Sequence, residues 1–101
     1  MAGALGVREV SSALFNNDKM IEVVLELDRW RGVGVTTREL ARTIGIADDL
    51  VKKVILRLLD AGLVKQLNRV GGRRGPLPYE VQETAAWRAL VDLATALKAA
   101  A

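Results

Sequence analysis

The fold of this chain is decided by residues 36–46, Thr36-Thr37-Arg38-Glu39-Leu40-Ala41-Arg42-Thr43-Ile44-Gly45-Ile46, and by the residues that follow them as far as position 75. Thr36 and Glu39 fit the S/T-x-x-E capping box, in which the threonine oxygen accepts from the third amide of the helix and the glutamate reaches back. A helix is therefore predicted to begin near Thr37. Gly45 should end it, because glycine adopts the left-handed conformation that follows many helices with the least strain.

A second helix is predicted from about Ala47 or Asp48 to Ala61, with Gly62 as its stop signal. Its apolar stripe consists of Val51, Val54, Ile55, Leu58 and Leu59, and its opposite side carries Asp49, Leu50, Lys52, Lys53, Leu56 and Arg57. An ordinary helical hairpin with a solvated face would also explain a single pair of lysines. The whole succession of helix, glycine-containing turn and basic helix is more typical of a recognition helix.

Residues 37–56 resemble the helix-turn-helix signature, with Ala41 as its small residue, Gly45 in its turn, and apolar side chains at Leu40, Ile44, Ile46, Val51 and Val54. The continuation Leu58-Leu59-Asp60-Ala61-Gly62-Leu63-Val64 resembles the step from recognition helix to wing in winged-helix regulators of the MarR, PadR and ArsR kind. The resemblance covers roughly residues 16–83. It implies a sequence-specific transcriptional regulator that binds double-stranded DNA. Winged helices also serve as protein-interaction modules in transcription or replication assemblies, and that function is the alternative.

The wing is predicted from two extended segments joined by a glycine-rich turn. Residues 63–70 can form one strand, and in the other Leu77, Tyr79 and Val81 alternate with polar or proline positions, the pattern of a half-buried strand. The turn between them contains Arg73 and Arg74, which should be exposed at its tip. Arginine at such a tip can enter a minor groove or bind phosphate, whereas a merely soluble basic loop is the plainer interpretation. The neighbouring basic helix favours contact with DNA.

Positive charge is concentrated in the predicted helix-turn-helix and wing. The chain has 15 Lys+Arg and 12 Asp+Glu, a net charge of +3, and residues 36–74 hold nine cations and four acids, a net of +5, which leaves −2 for the remainder. Such segregation directs a polyanion to one face of a protein. The predicted DNA contacts are Thr37, Arg38, Asp49, Leu50, Lys52, Lys53, Arg57, Arg69, Arg73 and Arg74.

Asp48 and Asp49 depart from the resembled family, which often carries serine, threonine or another neutral residue at the start of the recognition helix. Carboxylates there favour the helix dipole but repel the DNA backbone. They can alternatively accept from the N4 amine of cytosine, which would make them readers of base sequence.

The first helix of the domain is predicted to begin around Asn16, Asn17 or Asp18 and to run to Arg31. Its buried side chains should be Ile21, Val24, Leu25 and Leu27, with Trp30 in the core or at its boundary. A short strand around Val33 and Val35 should pair with the wing. A short helix before the domain is indicated by the apolar residues Leu5, Val7, Val10 and Leu14.

A final helix should begin after Thr84, with an apolar stripe made by Trp87, Leu90, Val91, Ala94 and Leu97. It is similar to the terminal helices through which winged-helix regulators dimerise. A homodimer through this stripe would read two half-sites about one helical turn apart. The competing interpretation is that the helix folds back on its own domain.

These signals predict a mainly α (α+β) fold: a winged helix-turn-helix domain with a two-stranded wing over residues 16–83, an extension at 1–15 and an added C-terminal helix at 84–101. The chain has no Cys and no His, scattered carboxylates and no G-x-x-x-x-G-K-[ST] phosphate loop, so we expect no catalysis, metal site or cofactor, and no particular effector ligand is indicated. Neither a secretory signal nor an uncharged apolar run of roughly 20 residues occurs. A soluble, cytoplasmic protein without a membrane partner is expected.

Overall fold

The computed structural model describes residues 5–69 and 71–101. Its elements are the helices α1 (Val7–Phe15), α2 (Met20–Asp28), α3 (Thr37–Ile44), α4 (Asp48–Asp60) and α5 (Ala85–Ala100), with the strands β1 (Val64–Gln66) and β2 (Tyr79–Val81) before α5. The two strands form an antiparallel sheet. The mainly α fold with a two-stranded wing and an added C-terminal helix is thus confirmed.

The helix-turn-helix forms as the local signals predict. Thr36 Oγ1 accepts from the amide of Glu39 at 3.2 Å, and the Glu39 carboxylate accepts from the amide of Thr36 at 2.9 Å, which completes the capping box. Gly45 is left-handed, with φ of 83°, and its amide donates to Ala41 O at 2.8 Å. The chain then re-enters a helix at Asp48, one of the two predicted starting positions.

The core lies where α2, α3, α4, α5 and the wing meet. Its fully buried side chains include Ile21, Val23, Val24 and Leu27 from α2 and Val51, Val54 and Ile55 from α4. Leu25 and Leu59, which were predicted among the buried stripes, are half-buried at its edge. Trp30 is also half-buried, and its Nε1 donates to Glu26 at 3.2 Å, as expected for a boundary position.

The predicted first helix of the domain is shorter than expected at both ends. Asn16 is left-handed, with φ of 54°, so the chain turns between α1 and α2 instead of entering a helix there. Two side chains that precede α2 accept hydrogen bonds from amides at its start. Asn17 Oδ1 accepts from the amide of the N-cap residue Lys19 at 2.8 Å, and Ser11 Oγ accepts from Ile21 N in the first turn at 3.2 Å. After Asp28 the chain continues as turns.

The predicted short helix before the domain is present as α1, and it packs against α2. An ion pair joins the two helices, because Arg8 Nε donates to Glu22 Oε1 at 2.8 Å. The hydrogen bond and the charge of Glu22 raise the pKa of the Arg8 guanidinium above its ordinary value. Leu5 and Leu14, two of the apolar residues that predicted the helix, remain exposed.

The first strand of the wing is also shorter than predicted. Expected over residues 63–70, it spans Val64–Gln66, and Val70 lies outside the described residues. One further hydrogen bond, from Leu67 N to Pro78 O at 2.9 Å, continues the ladder. Pro78 and Pro76 have no N–H to donate in return, so regular pairing ends there.

The short segment before α3 pairs with the wing through a single bridge. Val35 and Tyr79 exchange both of their main-chain hydrogen bonds at 2.8 Å, while Val33 stays 55% exposed and takes no part. Gly34 packs closely under the wing, since a Cβ at this position would lie 2.8 Å from Leu67 Cδ1 and 3.3 Å from Pro78 Cβ, and Leu67 would have to shift. The predicted strand is therefore confirmed only at Val35.

Helix α5 packs on its own domain. The side chain of Thr84 accepts from Trp87 N at 3.2 Å, which confirms the predicted cap. Trp87, Val91 and Ala94 are then buried against α2 within the same chain. The predicted dimerisation stripe is therefore corrected at these three of its five side chains, because they already have partners in the core of their own chain.

Candidate nucleic-acid interface

An open groove of about 580 Å³ runs between the N-terminal ends of α3 and α4 on one side and the wing on the other. Its lining combines residues from three separate stretches of the chain: Thr36, Thr37, Arg38, Glu39, Asp48, Lys52, Arg69, Arg74, Pro76, Leu77 and Tyr79. The turn into α3, the first half of α4 and the wing loop are thus brought to one surface.

Cations outnumber acids in this groove. Arg38, Lys52, Arg69 and Arg74 line it together with Glu39 and Asp48. The Glu39 carboxylate is already occupied by the amide and hydroxyl of Thr36, at 2.9 and 3.0 Å. The groove therefore presents positive charge from α3, α4 and the wing together, as a binding surface for a polyanion requires.

Lys52 is supported by the ring of Tyr79. Its Nζ lies 6.0 Å from the ring centroid, within the range of a cation–π contact. Tyr79 itself is only 2% exposed, and its main chain is fixed by the bridge to Val35. The amine of Lys52 therefore lies near the Tyr79 ring, on the wing side of α4.

Arg69 shapes the wing as well as lining the groove. Its Nη1 donates to the main-chain oxygen of Gly75 at 3.1 Å, which connects the two arms of the wing loop. Arg74 lines the groove, whereas Arg73 is exposed at the tip and does not belong to the lining. The two adjacent arginines therefore face different surroundings.

A second exposed surface follows the outer side of α4. Asp49, Lys53 and Leu56 occur at intervals of four and three residues, so they form one line along the helix, opposite the buried stripe that includes Val54 and Ile55. All three are exposed, Leu56 to 44%. We call this line the outer ridge of α4.

The two acids at the start of α4 have different positions. Asp48 lines the groove, and Asp49 begins the outer ridge. Both carboxylates lie in the first turn of α4. The N-cap residue Ala47 provides no side-chain hydrogen bond, so the free amides of this turn favour a negative charge nearby. Within residues 5–69 and 71–101, no ion pair or side-chain hydrogen bond engages either carboxylate.

The predicted contact residues divide among these surfaces. Thr37, Arg38, Lys52, Arg69 and Arg74 line the groove, and Asp49 and Lys53 lie on the outer ridge. Arg73 is at the wing tip, and Leu50 is half-buried. Arg57 lies outside the groove, where its Nη1 donates to Asn16 O at 3.4 Å in the turn between α1 and α2.

Several lining residues were not among the DNA contacts predicted from the sequence. Thr36, Pro76, Leu77 and Tyr79 enter the groove because of the fold rather than their chemistry. The capping box marked Thr36 only as structural, and strand alternation marked Tyr79 only as buried. Leu56 was placed on the free face of the helix but not among the contacts.

Over the described ranges, no helix has the length and apolar character needed to cross a membrane. In the same residues, no three side chains from His, Cys, Asp and Glu come together as a metal site would need.

The order of helices, the turn at Gly45 and the wing beside α4 decide the fold. It is a MarR-like winged helix. The reduced form of MarR from E. coli is similar over 90% of this chain, with a TM-score of 0.63 and 20% identity, and RV1404 from Mycobacterium tuberculosis over 92%, with a TM-score of 0.61 and 18% identity. The chain spans 63% and 60% of the length of those two chains. No protein-family profile and no curated protein matches the sequence.

Proposed function

We propose that the protein is a sequence-specific transcriptional regulator that binds double-stranded DNA. The observation that carries the proposal is the groove in which Arg38 from α3, Lys52 from α4 and Arg74 from the wing converge. A surface with cations from three elements suits the phosphates of one DNA strand, and displacement of counterions from DNA supplies much of the binding free energy of such contacts.

The proposed mechanism places α4 in the major groove and the wing on the backbone. With the outer ridge toward the base edges, the groove faces the phosphates beside it, where Lys52 and Arg74 neutralise charge. Thr37 and Arg38 at the start of α3 add a helix N-terminus, which favours anions through its free amides and dipole. Arg73, at the exposed tip, can reach the next phosphate or the minor groove.

A protein-interaction module is the competing function, and the exposed Leu56 together with Asp48 and Asp49 is the observation that favours it. This alternative leaves the convergence of Lys52 and Arg74 without a role. The two functions differ in their dependence on salt, because binding to DNA weakens steeply as salt rises whereas an apolar protein contact does not.

The wing arginines provide the test of DNA binding. The double variant Arg73→Ala, Arg74→Ala should bind duplex DNA roughly tenfold more weakly and with a shallower dependence on salt, because up to two phosphate contacts are lost. Of the single variants, Arg74→Ala should have the larger effect, since only Arg74 lines the groove. Fluorescence anisotropy of a labelled duplex over a series of salt concentrations measures both quantities.

The matched control is Arg29→Ala, Lys98→Ala, which removes the same charge from a depression outside the groove. It should bind DNA nearly as the parent does. The wing variant should also keep the parent's free energy of unfolding within about 0.5 kcal/mol, because its side chains are exposed. Equal affinity of the wing and control variants, or salt-independent binding by the parent, would contradict the proposed function.

We further infer that the protein acts as a homodimer through one side of α5. Although Trp87 faces the core, Leu90 and Leu97 are half-buried beside it and Leu93 is 45% exposed. Exposed alanines at positions 89, 96 and 100 extend this side, so a second helix can approach closely. Helix α1, which contacts α5, carries a further exposed apolar side chain at Leu14. Apolar surface of this kind often marks an interface.

Leu93→Glu should convert the dimer to a folded monomer, because a carboxylate in an apolar interface would be desolvated without a partner. Its affinity for a palindromic duplex should fall together with dimerisation. Sedimentation at micromolar concentration and circular dichroism measure mass and fold. Ala99→Glu, on another face of α5, should remain dimeric. A monomeric parent protein would disprove the dimer and leave DNA binding to be judged by the wing variants.

A further inference from the structure

The outer ridge of α4 combines one acid, one cation and one exposed apolar side chain. Asp49 and Leu56 do not line the groove, and Leu56 is 44% exposed on a helix whose opposite face buries Val51, Val54, Ile55 and Leu58. An exposed leucine contributes nothing to phosphate binding. In the proposed complex, where the outer ridge faces the base edges, Leu56 can instead contact an apolar group of a base.

We infer that the outer ridge reads a cytosine through Asp49 and, about three base pairs away, a thymine through Leu56. This inference rests on the proposed DNA-binding function and assigns that site its base preference. The two positions are seven residues apart, which along a helix is roughly 10 Å at a rise of about 1.5 Å per residue. Base pairs repeat at about 3.4 Å, so the two side chains are about three base pairs apart when α4 follows the groove.

The chemistry of the major groove selects these bases. An ionised carboxylate can only accept hydrogen bonds, and cytosine offers its N4 amine there without the N7 acceptor that stands beside the amine of adenine. Thymine is the base that places a methyl group in the major groove. A leucine against that methyl removes apolar surface from water on both partners, whereas against another base edge it would desolvate polar atoms.

Lys53 lies between the two reading positions, one helical turn from Asp49. Its charge offsets the repulsion between the Asp49 carboxylate and the DNA backbone. Asp49 can therefore approach a base edge without leaving a net negative charge on the ridge.

The test begins with selection of preferred duplexes from a randomised pool by the full chain. The selected sequences should share a cytosine and a thymine about three base pairs apart in each half-site. Uracil is then substituted for one thymine at a time, which removes only the methyl group. At one position per half-site the parent should lose about fourfold in affinity, the equivalent of one buried methyl group.

Leu56→Ala should bind the thymine and uracil duplexes equally, because the partner of the methyl group is gone. Val33→Ala, which shortens an exposed side chain outside α4, should keep the parent's preference. Asp49→Ala should lose the discrimination of roughly tenfold against other bases at the cytosine position.

Salt-dependent binding by the parent with no response to uracil at any position would overturn the base assignment and leave DNA binding intact. Retention of the thymine preference by Leu56→Ala would also overturn it. If the parent binds no duplex even at low salt, the proposed function fails and the base assignment fails with it.

Discussion

Trp87→Ala should lower the free energy of unfolding by about 3–5 kcal/mol, the largest effect on stability that we expect from one substitution in α5. Trp87 is fully buried and is the largest of the fully buried side chains. Its removal leaves a cavity between α5 and α2 that the surrounding helices cannot close fully. Equilibrium unfolding in urea, followed by circular dichroism, measures the loss.

Part of this effect is polar. Trp87 Nε1 donates to Asp28 Oδ1 at 3.0 Å, and the same oxygen lies 3.3 Å from both Arg31 Nε and Arg88 Nη1. Trp87→Phe keeps most of the ring but removes the donor. It should therefore be destabilised less than Trp87→Ala, with about 1 kcal/mol attributable to the hydrogen bond, because Asp28 retains two cationic partners.

Asp92→Ala is the control for both variants, since Asp92 is exposed on the same helix. Its free energy of unfolding should stay within about 0.5 kcal/mol of the parent. If Trp87→Ala behaved like Asp92→Ala, α5 would not belong to the folded domain, and its packing against α2 would be wrong.

The parts of the fold that could be predicted from sequence depend on contacts between near neighbours. The capping box joins Thr36 and Glu39 within one turn, and Gly45 ends α3 through its own conformation. Both signals are complete within a few residues. The bounds of α3 and α4 were accordingly predicted almost to the residue.

The features predicted less well depend on distant residues. The start of α2 is set by Ser11, a side chain of α1 that accepts from Ile21 N. The end of β1 is set by Pro78 across the wing, which cannot return a hydrogen bond. The spacing of apolar residues also predicted which face of α5 is buried. It did not predict that α2 of the same chain covers this face, because an apolar stripe does not indicate which surface packs against it.

The candidate site shows the same division. Lys52 and Arg74 could be predicted as DNA contacts from the sequence, because cations on the free face of a recognition helix and at a wing tip can be recognised along the chain. Only the folded chain separates Arg74, in the groove, from Arg73, outside it. The hydrogen bond of Arg57 to Asn16 likewise follows from the tertiary packing of the turn between α1 and α2 beside α4.

The largest effect on DNA binding is expected for Lys52→Ala with Lys53→Ala. Lys52 faces the groove and Lys53 lies on the outer ridge, so the pair supplies charge on both sides of α4. If each lysine neutralises the charge of one phosphate, the slope of log affinity against log salt should become shallower by about 1.8. Counterion release alone then predicts roughly 30-fold weaker binding at about 0.15 M salt.

The two lysines should differ in what they contribute. Lys52→Ala alone should weaken binding to all sequences alike, because it removes a phosphate contact made from the groove beside Tyr79. Lys53→Ala should additionally weaken discrimination among sequences, since Lys53 offsets the charge of Asp49 at the base edges. Anisotropy titrations with a selected duplex and a scrambled one, each across a salt series, separate these effects. Unchanged affinity and slope in the double variant, with its circular dichroism spectrum intact, would remove α4 from the DNA interface.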